Sequence, residues 1–297
     1  MKKAIIIYHS ADCDGLCSQA VIRRGIKEMG YQQVDLLGYH NDAQLPDLSS
    51  YEMVYAADVC LPFELMKALY NDGRLVWIDH HATSIDASVK YGFNDAFGAT
   101  AIGKGACELC WKYFFPDTPL PKFVALLSAY DVFDKNRFPW ESETLPFQFG
   151  VRNAFGNDLN AFYDAIENLD ELDAELLIRD GRSIVSYIRR QGLRSGRNYG
   201  FVVTLDDGTE ALCALTTEFG SIPLQEAAAE RELKVIIDCN RISVNQYKIS
   251  AFAASGESPI HLGEYLRLKY NGGGHHDAAG CVINLEQFIT LITDCKL

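Results

Sequence analysis

Acidic and histidine side chains follow three apolar segments in the early part of the sequence. They are His9, Asp12 and Asp14 after the first segment, Asp58 after the second, and Asp79, His80 and His81 after the third. Carboxylates gathered in one site repel each other unless cations neutralise them. Oxygen and imidazole ligands suit Mn²⁺ or Mg²⁺, with iron as an alternative. Two such ions about 3.5–4 Å apart activate a water molecule and hold a phosphoryl oxygen, so the residue types predict a two-metal site for phosphoryl transfer.

The elements that must position these residues alternate along the first part of the chain. Short apolar runs predict buried strands, and the segments between them have helical periodicity. The predicted strands cover 4–8, 34–39, 53–57 and 75–78, and the predicted helices cover 16–29 and 62–70. Such alternation predicts a parallel sheet with helices on both faces, in which the carboxyl ends of the strands line one crevice. We therefore expect the acidic residues to meet in that crevice.

Each acidic segment also has an ordinary structural interpretation. Asp12 and Asp14 precede a helical run and could cap it. Asp58 could simply end a strand, and His80 and His81 could form hydrogen bonds within a loop. The coincidence of all these residues at three strand ends favours the metal site over three unrelated local roles.

The remainder of the chain has a helical part and then a second alternating part. The pattern from 98 to about 168 is helical and is interrupted by prolines, and one amphipathic helix is predicted from near Glu171 through Arg197, with a break at Gly192 or Gly196 as an alternative. Further strands are predicted at 201–205, 212–215, 235–238, 247–253 and 281–283, and further helices at 224–232 and 261–270. The fold class is therefore α/β throughout.

The composition is that of an ordinary globular protein, with 48% hydrophobic and 23% charged residues. A length of 297 residues suits two domains. We predict a first domain at 1–180, a connecting helix at 181–199 and a smaller second domain at 200–297. The net charge of −13 excludes a surface that attracts long polyanions as a whole, so any positively charged binding site must be local.

The cellular compartment is predicted from the start of the chain and from its cysteines. Two lysines precede an apolar run, as in a signal peptide, but the run 4–8 is too short for one. No segment approaches the length that spans a bilayer, so we expect a cytoplasmic protein without a membrane partner. The nine cysteines should then be reduced thiols, and the Cys107–Cys110 pair lacks the second ligand pair that a zinc site needs.

The acidic motifs resemble those of the DHH family of phosphoesterases. VWIDHHATS contains the Asp-His-His that names the family, HSADCDGLCS resembles its first motif, Ala57-Asp58 its second, and Ala129-Tyr-Asp131 its fourth. NGGGHHDAAG, near the other end, resembles the glycine-rich signature of the DHH-associated second domain. The motifs occur in the family's order and span nearly the whole chain. The resemblance is to the group that holds RecJ-like nucleases, nanoRNases of the NrnA and NrnB kind, and linear-dinucleotide phosphodiesterases.

The resemblance implies a fold and a set of metal ligands. It implies a parallel-sheet N-terminal DHH domain joined by a long helix to a smaller α/β C-terminal domain that binds the substrate. The ligands of one metal would be His9 and Asp12, those of the other Asp14, Asp131 and His80, with Asp58 bridging both. Asp131 lies in a predicted helix, so only the resemblance places it at the site.

The resemblance also implies roles in catalysis and substrate binding. Asp79 would orient His80, and His81 would stabilise the charge that develops on the transferred phosphoryl group. The residues that would bind a substrate phosphate are Gly272, Gly273, Gly274 and His275. A tight turn between a helix and a strand is the alternative for the glycines. With metals in one domain and the distal phosphate or base in the other, the cleft would set the substrate's length.

The activity that the resemblance implies is hydrolysis of short oligonucleotides or linear dinucleotides, such as pGpG or pApA, to mononucleotides. Mn²⁺ is the expected metal and Mg²⁺ the alternative. Phe252 stands where many members carry an arginine, which argues against a phosphatase of the pAp type. An exopolyphosphatase, a RecJ-like single-strand exonuclease and a non-catalytic nucleotide sensor are further alternatives. The eight intact groups of the metal site argue against the sensor.

A basic face on the long helix bears on substrate length. Six arginines fall within roughly a 140° arc of an ideal helix. They are Arg179, Arg182, Arg189, Arg190, Arg194 and Arg197. This face could guide a few phosphates, or it could be the solvated side of an ordinary amphipathic helix.

Overall fold

The computed structural model describes residues 2–40, 44–93, 97–170, 172–215 and 219–293, and the backbone of residues 295–296. The chain divides into two compact units, Met1–Ile184 and Val185–Leu297. In the part of the chain that is described, no helix is long and apolar enough to cross a membrane.

The first unit contains a parallel sheet and the helices that cover it. Its elements are β1 (Lys3–His9), α1 (Cys13–Ile26), β2 (Gln33–Tyr39), β3 (Met53–Ala57), α2 (Phe63–Asn71), β4 (Leu75–Asp79), α3 (Ala82–Tyr91), β5 (Ala99–Thr100), α4 (Ala106–Phe114), α5 (Lys122–Asp131), α6 (Leu145–Phe155), α7 (Leu159–Glu167) and the start of α8 (Ala174–Tyr199). The strand order is β2-β1-β3-β4-β5, with every pair parallel. The predicted α/β class with a parallel sheet is confirmed, whereas α3 and β5 were not predicted.

Apolar side chains on both faces of this sheet are buried. Ile6 and Ile78 pack on one face in a core that includes residues of α1, α4, α5, α6 and α7. Ile5 and Trp77 pack on the other face with residues of α2. Because successive side chains of a strand point to opposite faces, continuous apolar strands require helices on both sides. This double cover confirms the prediction and holds the strand ends in fixed positions.

The long helix α8 runs for 26 residues without a break. The alternative of a break at Gly192 or Gly196 is therefore wrong. A Cβ on Gly192 would lie 2.1 Å from the carbonyl oxygen of Pro223, and one on Gly196 would lie 2.4 Å from the Cβ of Ala227. The glycines allow close packing instead of ending the helix. Glu171, near which the start was predicted, lies outside the described residues.

The second unit contains a mixed sheet of its own. Its elements after α8 are β6 (Phe201–Thr204), β7 (Glu210–Ala214), α9 (Gln225–Glu230), β8 (Val235–Ser243), β9 (Gln246–Ala253), α10 (Leu262–Tyr270), β10 (Gly273–Gly274), β11 (Ala278–Asn284), α11 (Leu285–Thr293) and β12 (Cys295–Lys296). The strand order is β10-β11-β9-β8-β7-β6-β12, and β7 and β8 form its parallel pair. The α/β class predicted for this part is confirmed, and α11, β10 and β12 were not predicted.

Eight cysteines have side chains that the structure describes, and these are free thiols. Cys107 and Cys110 are both buried in α4. Burial raises the pKa of both thiols. They therefore pack as small apolar side chains, in agreement with reduced cysteines.

Candidate metal centre

The acidic strand ends meet at the point where the strand order of the first sheet reverses. β2 lies on one side of β1 and β3 on the other, so the connections that leave β1 and β3 diverge and open a crevice at their carboxyl ends. His9 is the last residue of β1, and Asp58 directly follows β3. Asp79 ends β4 and His80 follows it. The structure thus brings these residues together, as strand alternation predicted.

The ring of His80 lies among three carboxylates. Its Nε2 atom is 3.1 Å from Oδ1 of Asp58, 3.1 Å from Oδ2 of Asp131 and 3.9 Å from Oδ2 of Asp14. One ligand atom each from Asp14, His80 and Asp131 lie within 4.8 Å of one another. Oxygen and imidazole donors at this spacing can hold a divalent cation. Asp131, the last residue of α5, therefore reaches the site although no strand carries it.

Asp14 is held by the beginning of α4. Its two carboxylate oxygens accept hydrogen bonds from the backbone N–H groups of Ala106, at 2.6 Å, and Cys107, at 2.9 Å. The first N–H groups of a helix have no partner within the helix, and the helix dipole favours an anion there. Gly105 leaves room for the contact, because a Cβ there would lie 2.9 Å from Asp14 Oδ1. The sequence pattern did not predict this support, although Gly105, the glycine directly before α4, is a signal of it.

Burial, and after it the nearby Asp12 carboxylate, raises the pKa of Asp14 to about 6, although the hydrogen bonds at the start of α4 oppose the shift. The carboxylate of Asp14 is thus placed where a positive charge would stabilise its ionised form.

Asp58 occupies a backbone conformation that few residues adopt. Its φ of 59° lies in the left-handed region, which aspartate tolerates better than most side chains because it can hydrogen-bond locally. Its N–H donates to the carbonyl of Ile78 at 2.9 Å, which ties the turn after β3 to β4. Strained backbone of this kind is characteristic of functional sites. The conformation holds the Asp58 carboxylate against His80.

His9 and Asp12 form a second, more accessible pair. His9 Nε2 lies 3.3 Å from Asp12 Oδ2, and the two side chains are 32% and 30% exposed. The other oxygen of Asp12 accepts from the N–H of Gly15 at 3.0 Å, so Asp12 also caps α1. The capping interpretation is therefore correct for one oxygen and leaves the other for a metal. Gly15 has to be glycine, since a Cβ there would lie 2.0 Å from the carbonyl oxygen of His9.

Asp79 has a different ring partner from the one that the resemblance named. Its Oδ1 atom lies 2.7 Å from Nδ1 of His81 and also accepts from the backbone N–H groups of His80, at 2.7 Å, and His81, at 3.1 Å. The hydrogen bond with Asp79 raises the pKa of His81, and burial opposes that shift. Asp79 therefore orients the His81 ring directly, and it supports His80 through the main chain.

The electrostatics of the cluster fit divalent cations. Burial raises the pKa of Asp58 and Asp131, and the neighbouring carboxylates raise both further. Within the described residues, the ion pairs of Asp12, Asp14, Asp58 and Asp131 are with histidines and not with lysine or arginine. Buried carboxylates gathered without basic side chains need cations to remain ionised. Oxygen and imidazole donors without thiolate suit Mn²⁺ or Mg²⁺.

Comparison with solved structures identifies the fold. A DHH domain described as a member of the s1p family of ribosomal proteins superposes with a TM-score of 0.54 at 14% identity, covering 100% of this chain and 88% of that one. This chain has the DHH-domain fold. The exonuclease RecJ bound to manganese gives a TM-score of 0.50 at 15% identity, covering 99% of this chain and 89% of the other. At these identities the likeness concerns the fold alone.

Sequence comparison adds a partial match. No model of a known protein family matches the chain. The uncharacterized protein R106 of Acanthamoeba polyphaga mimivirus is 25% identical over 155 residues, which are 48% of this chain. The match spans 36% of the viral protein's length, so it covers about a third of that relative.

In this DHH-domain chain, the predicted phosphate-binding glycines form β10 and the residue before it. A Cβ on Gly272 would lie 2.5 Å from the carbonyl oxygen of Gly280, and Gly274 has a φ of 140° and a Cβ position 2.5 Å from the Ala278 oxygen. Packing alone therefore accounts for two of the three glycines. A Cβ on Gly273 would meet nothing within 4 Å, so its need for glycine has no packing explanation.

The N–H groups of this loop are partly engaged. The N–H of Gly272 donates to the carbonyl of Leu266 at 3.0 Å, and that of His275 donates to Ala278 at 2.7 Å. These two groups serve the fold. The His275 residue is exposed. Gly273 and Gly274 pair with Gly280 and Ala279 of β11, so the predicted phosphate contact depends chiefly on the His275 ring, and it stays a prediction.

Proposed function

We propose that this chain is a metal-dependent phosphodiesterase that hydrolyses short oligonucleotides or linear dinucleotides to mononucleotides. The observation that carries the proposal is the position of His80 Nε2, 3.1 Å from both Asp58 and Asp131 and 3.9 Å from Asp14. Four separate segments contribute these groups, and carboxylates gathered in this way repel one another unless cations neutralise them.

The proposed ligand sets are those that the resemblance implies, and one of them is supported by the approach of Asp14, His80 and Asp131 ligand atoms to within 4.8 Å of one another. His9 and Asp12 would hold one ion, Asp14, His80 and Asp131 the other, and Asp58 would contact both. Bound divalent ions supply the positive charge that binds a phosphate oxygen and lowers the pKa of a water molecule. Residues 1–180 would form the catalytic domain, and residues 200–297 would bind the rest of the substrate after the connecting helix 181–199.

His81 would act on the substrate directly. Its side chain is 45% exposed, and Asp79 fixes the orientation of its ring. The raised pKa of His81 favours the protonated ring, in which Nε2 donates a hydrogen bond. A donor fixed in this way stabilises the negative charge that develops on the phosphoryl oxygens in the transition state.

The charge distribution favours short substrates. Residues 200–297 carry 7 lysines and arginines against 13 aspartates and glutamates, so they repel a long polyanion. Arg190 and Arg194 on α8 are exposed and could pair with a few phosphates only. The structural neighbour described as RecJ acts as an exonuclease and binds manganese, which supports the class of chemistry and the choice of metal. Fragments of about two to five nucleotides are the substrates that we propose.

The test is a substrate panel assayed with and without chelator. We expect hydrolysis of pGpG, pApA and RNA of up to about five nucleotides, loss of activity in EDTA, and best recovery with Mn²⁺. Preferential hydrolysis of pAp would indicate a small-molecule phosphatase, and hydrolysis of polyphosphate an exopolyphosphatase. Processive digestion of long single strands would indicate a RecJ-like exonuclease. Turnover that persists in EDTA would overturn the metal site.

A further inference from the structure

Three aromatic rings from the residues around Asp131 in the sequence, Tyr130, Phe133 and Trp140, lie nearly parallel. Tyr130 and Trp140 have ring centroids 5.5 Å apart at 5°, Phe133 and Trp140 5.7 Å apart at 20°, and Tyr130 and Phe133 6.3 Å apart at 26°. Phe133 is the exposed member, with 56% of its surface accessible. We call Tyr130, Phe133 and Trp140 the aromatic platform. An exposed ring backed by two parallel rings presents a flat apolar face to solvent.

Phe133 is in a conformation that costs free energy. Its φ is 53°, and the N–H of Asp134 donates to the carbonyl of Ala129 at 2.9 Å, which closes the end of α5. Helices that end in this way usually place glycine at the left-handed position. A phenylalanine there is strained, and most of its ring is not buried in return. Strain of this kind, next to a proposed metal ligand, indicates a functional role for the ring.

Contacts with α4 and α5 hold the segment that carries the platform. Arg137 forms an ion pair with the buried carboxylate of Glu108, which also accepts from Ser128 Oγ at 2.9 Å. Trp140 begins a π-helical turn, Trp140–Thr144, a feature often found at functional sites. The platform is therefore mounted on α4 and α5, the helices that also position Asp14 and Asp131.

A positive charge accompanies the platform. Lys135 is exposed, and its Nζ lies 5.7 Å from the centroid of the Trp140 ring. A nucleotide presents a flat base and an anionic phosphate together, so a ring face beside an ammonium group is complementary to both parts of it. Phe133 follows Asp131 by two residues, which limits their Cα separation to about 7 Å.

We propose that the aromatic platform stacks on one unpaired nucleobase of the substrate, next to the scissile phosphate, and that Lys135 pairs with an adjoining phosphate. This inference rests on the proposed function, because it assigns the base-binding subsite of the same centre. Stacking on Phe133 is tolerant of sequence, since every base has a π face. The subsite would select nucleotides over polyphosphate and would make the identity of the base secondary.

The test uses dinucleotides that carry fluorescent 2-aminopurine at either position, in the presence of EDTA so that binding is measured without hydrolysis. Stacking quenches 2-aminopurine fluorescence. We expect the wild-type protein to quench one of the two dinucleotides, and Phe133→Gly to weaken its affinity by about tenfold or more, as for the loss of one stacked base. Phe133→Gly should fold, because glycine relieves the left-handed strain. Phe133→Tyr should restore quenching.

Matched variants and analogues separate stacking from a structural role. Tyr113→Leu removes an exposed ring on α4 and is the control for Phe133→Leu. The affinity of each variant for the quenched dinucleotide is compared with that of the wild type. In Mn²⁺, the wild-type protein should prefer a dinucleotide over its analogue that lacks one base, and Phe133→Gly should lose that preference. The inference would be overturned if wild type and Phe133→Gly bound the 2-aminopurine dinucleotide with equal affinity. It would also be overturned if Phe133→Gly lost equal activity on base-bearing and abasic substrates. Quenching without hydrolysis would support the base-binding subsite and contradict the proposed phosphodiesterase activity. Hydrolysis without quenching would support the phosphodiesterase activity and contradict the subsite.

Discussion

Oδ1 of Asp79 lies 2.7 Å from Nδ1 of His81, two residues along the chain, at the carboxyl end of β4. Asp79 is buried, whereas the His81 side chain is 45% exposed. The buried carboxylate therefore fixes the ring that faces solvent. His80 directs its Nε2 to the carboxylate cluster, whereas we propose that His81, the next residue, acts on the substrate.

Asp79→Asn should weaken catalysis while leaving the metals in place. The amide keeps the shape of the side chain but loses the negative charge that orients the His81 ring and raises its pKa, so kcat should fall by about 10–100-fold. Elemental analysis should give wild-type metal content. In a double-mutant cycle with His81→Ala the losses should not add, because both variants remove the same donor. Additive losses would show that Asp79 acts independently of His81.

Asp58→Asn should cause the largest loss of the single variants. Asparagine also tolerates the left-handed backbone at this position, so the fold should survive while the shared carboxylate is lost. We expect kcat/KM to fall by more than about 100-fold, with reduced metal content. Asp86→Asn, which changes an exposed carboxylate on α3, is the matched control. If Asp58→Ala turned over substrate at a near wild-type rate, Asp58 would not be a metal ligand.

His275→Ala should weaken substrate binding and leave the metal content unchanged. A charge-assisted hydrogen bond from this exposed ring is worth about 1.5–3 kcal/mol, or a rise in KM of roughly 10–150-fold. Gly273→Ala provides a second probe of the same loop, because packing leaves room for its Cβ. If Gly273→Ala binds substrate normally, the backbone there does not approach a phosphate. Metal loss in His275→Ala would contradict a role in binding substrate.

Arg190→Glu combined with Arg194→Glu should slow hydrolysis of five-mers more than that of dinucleotides. Both arginines are exposed on α8, whereas Arg197 is already paired with Glu230 at 2.7 Å. Because two exposed charge contacts are lost, the rate of five-mer hydrolysis should fall by about 3–10-fold at low salt, and this loss should become smaller as salt is added. A double variant with the same charge change at exposed positions of β8 and β9, Arg241→Glu with Lys248→Glu, is the control. If the double variant slowed hydrolysis of five-mers and dinucleotides equally, the basic face of α8 would be an ordinary solvated surface.

Glu108→Gln should destabilise the first unit. Burial raises the pKa of Glu108, but hydrogen bonds from Lys112, Arg137 and Ser128 outweigh burial, so its pKa lies below the usual 4.5. Its stabilisation is therefore fully present above about pH 4.5 and is lost as the pH falls through the lowered pKa. Urea unfolding at pH 7 should show a loss of about 1–3 kcal/mol for the variant.

The exposed pair between Glu175 and Lys122 is the control for Glu108, since Glu175 is 71% exposed. Glu175→Gln should change the free energy of unfolding by less than about 1 kcal/mol. The difference between wild type and Glu108→Gln should narrow as the pH falls below 4.5. A difference that stayed constant from pH 7 to pH 3 would show that Glu108 acts by shape and not by charge.

The class of the fold and the meeting of the acidic strand ends could be predicted from the sequence. Apolar runs such as 4–8, 53–57 and 75–78 have the length of buried parallel strands, and parallel strands share one carboxyl edge. Any acidic residue just after such a strand must therefore lie at that edge. Strand alternation therefore predicts that Asp58, Asp79 and His80 lie close together.

The contacts that support these residues could not be predicted from the sequence. Asp14 is held by Ala106, 92 residues away, and Asp131 joins from the end of a helix. Gly192 and Gly196 permit close packing inside a continuous helix, which periodicity alone cannot distinguish from a break. Hydrophobic periodicity reports which face of each segment is buried and carries no information on the segment that buries it. Partners distant in the sequence are therefore fixed by packing alone.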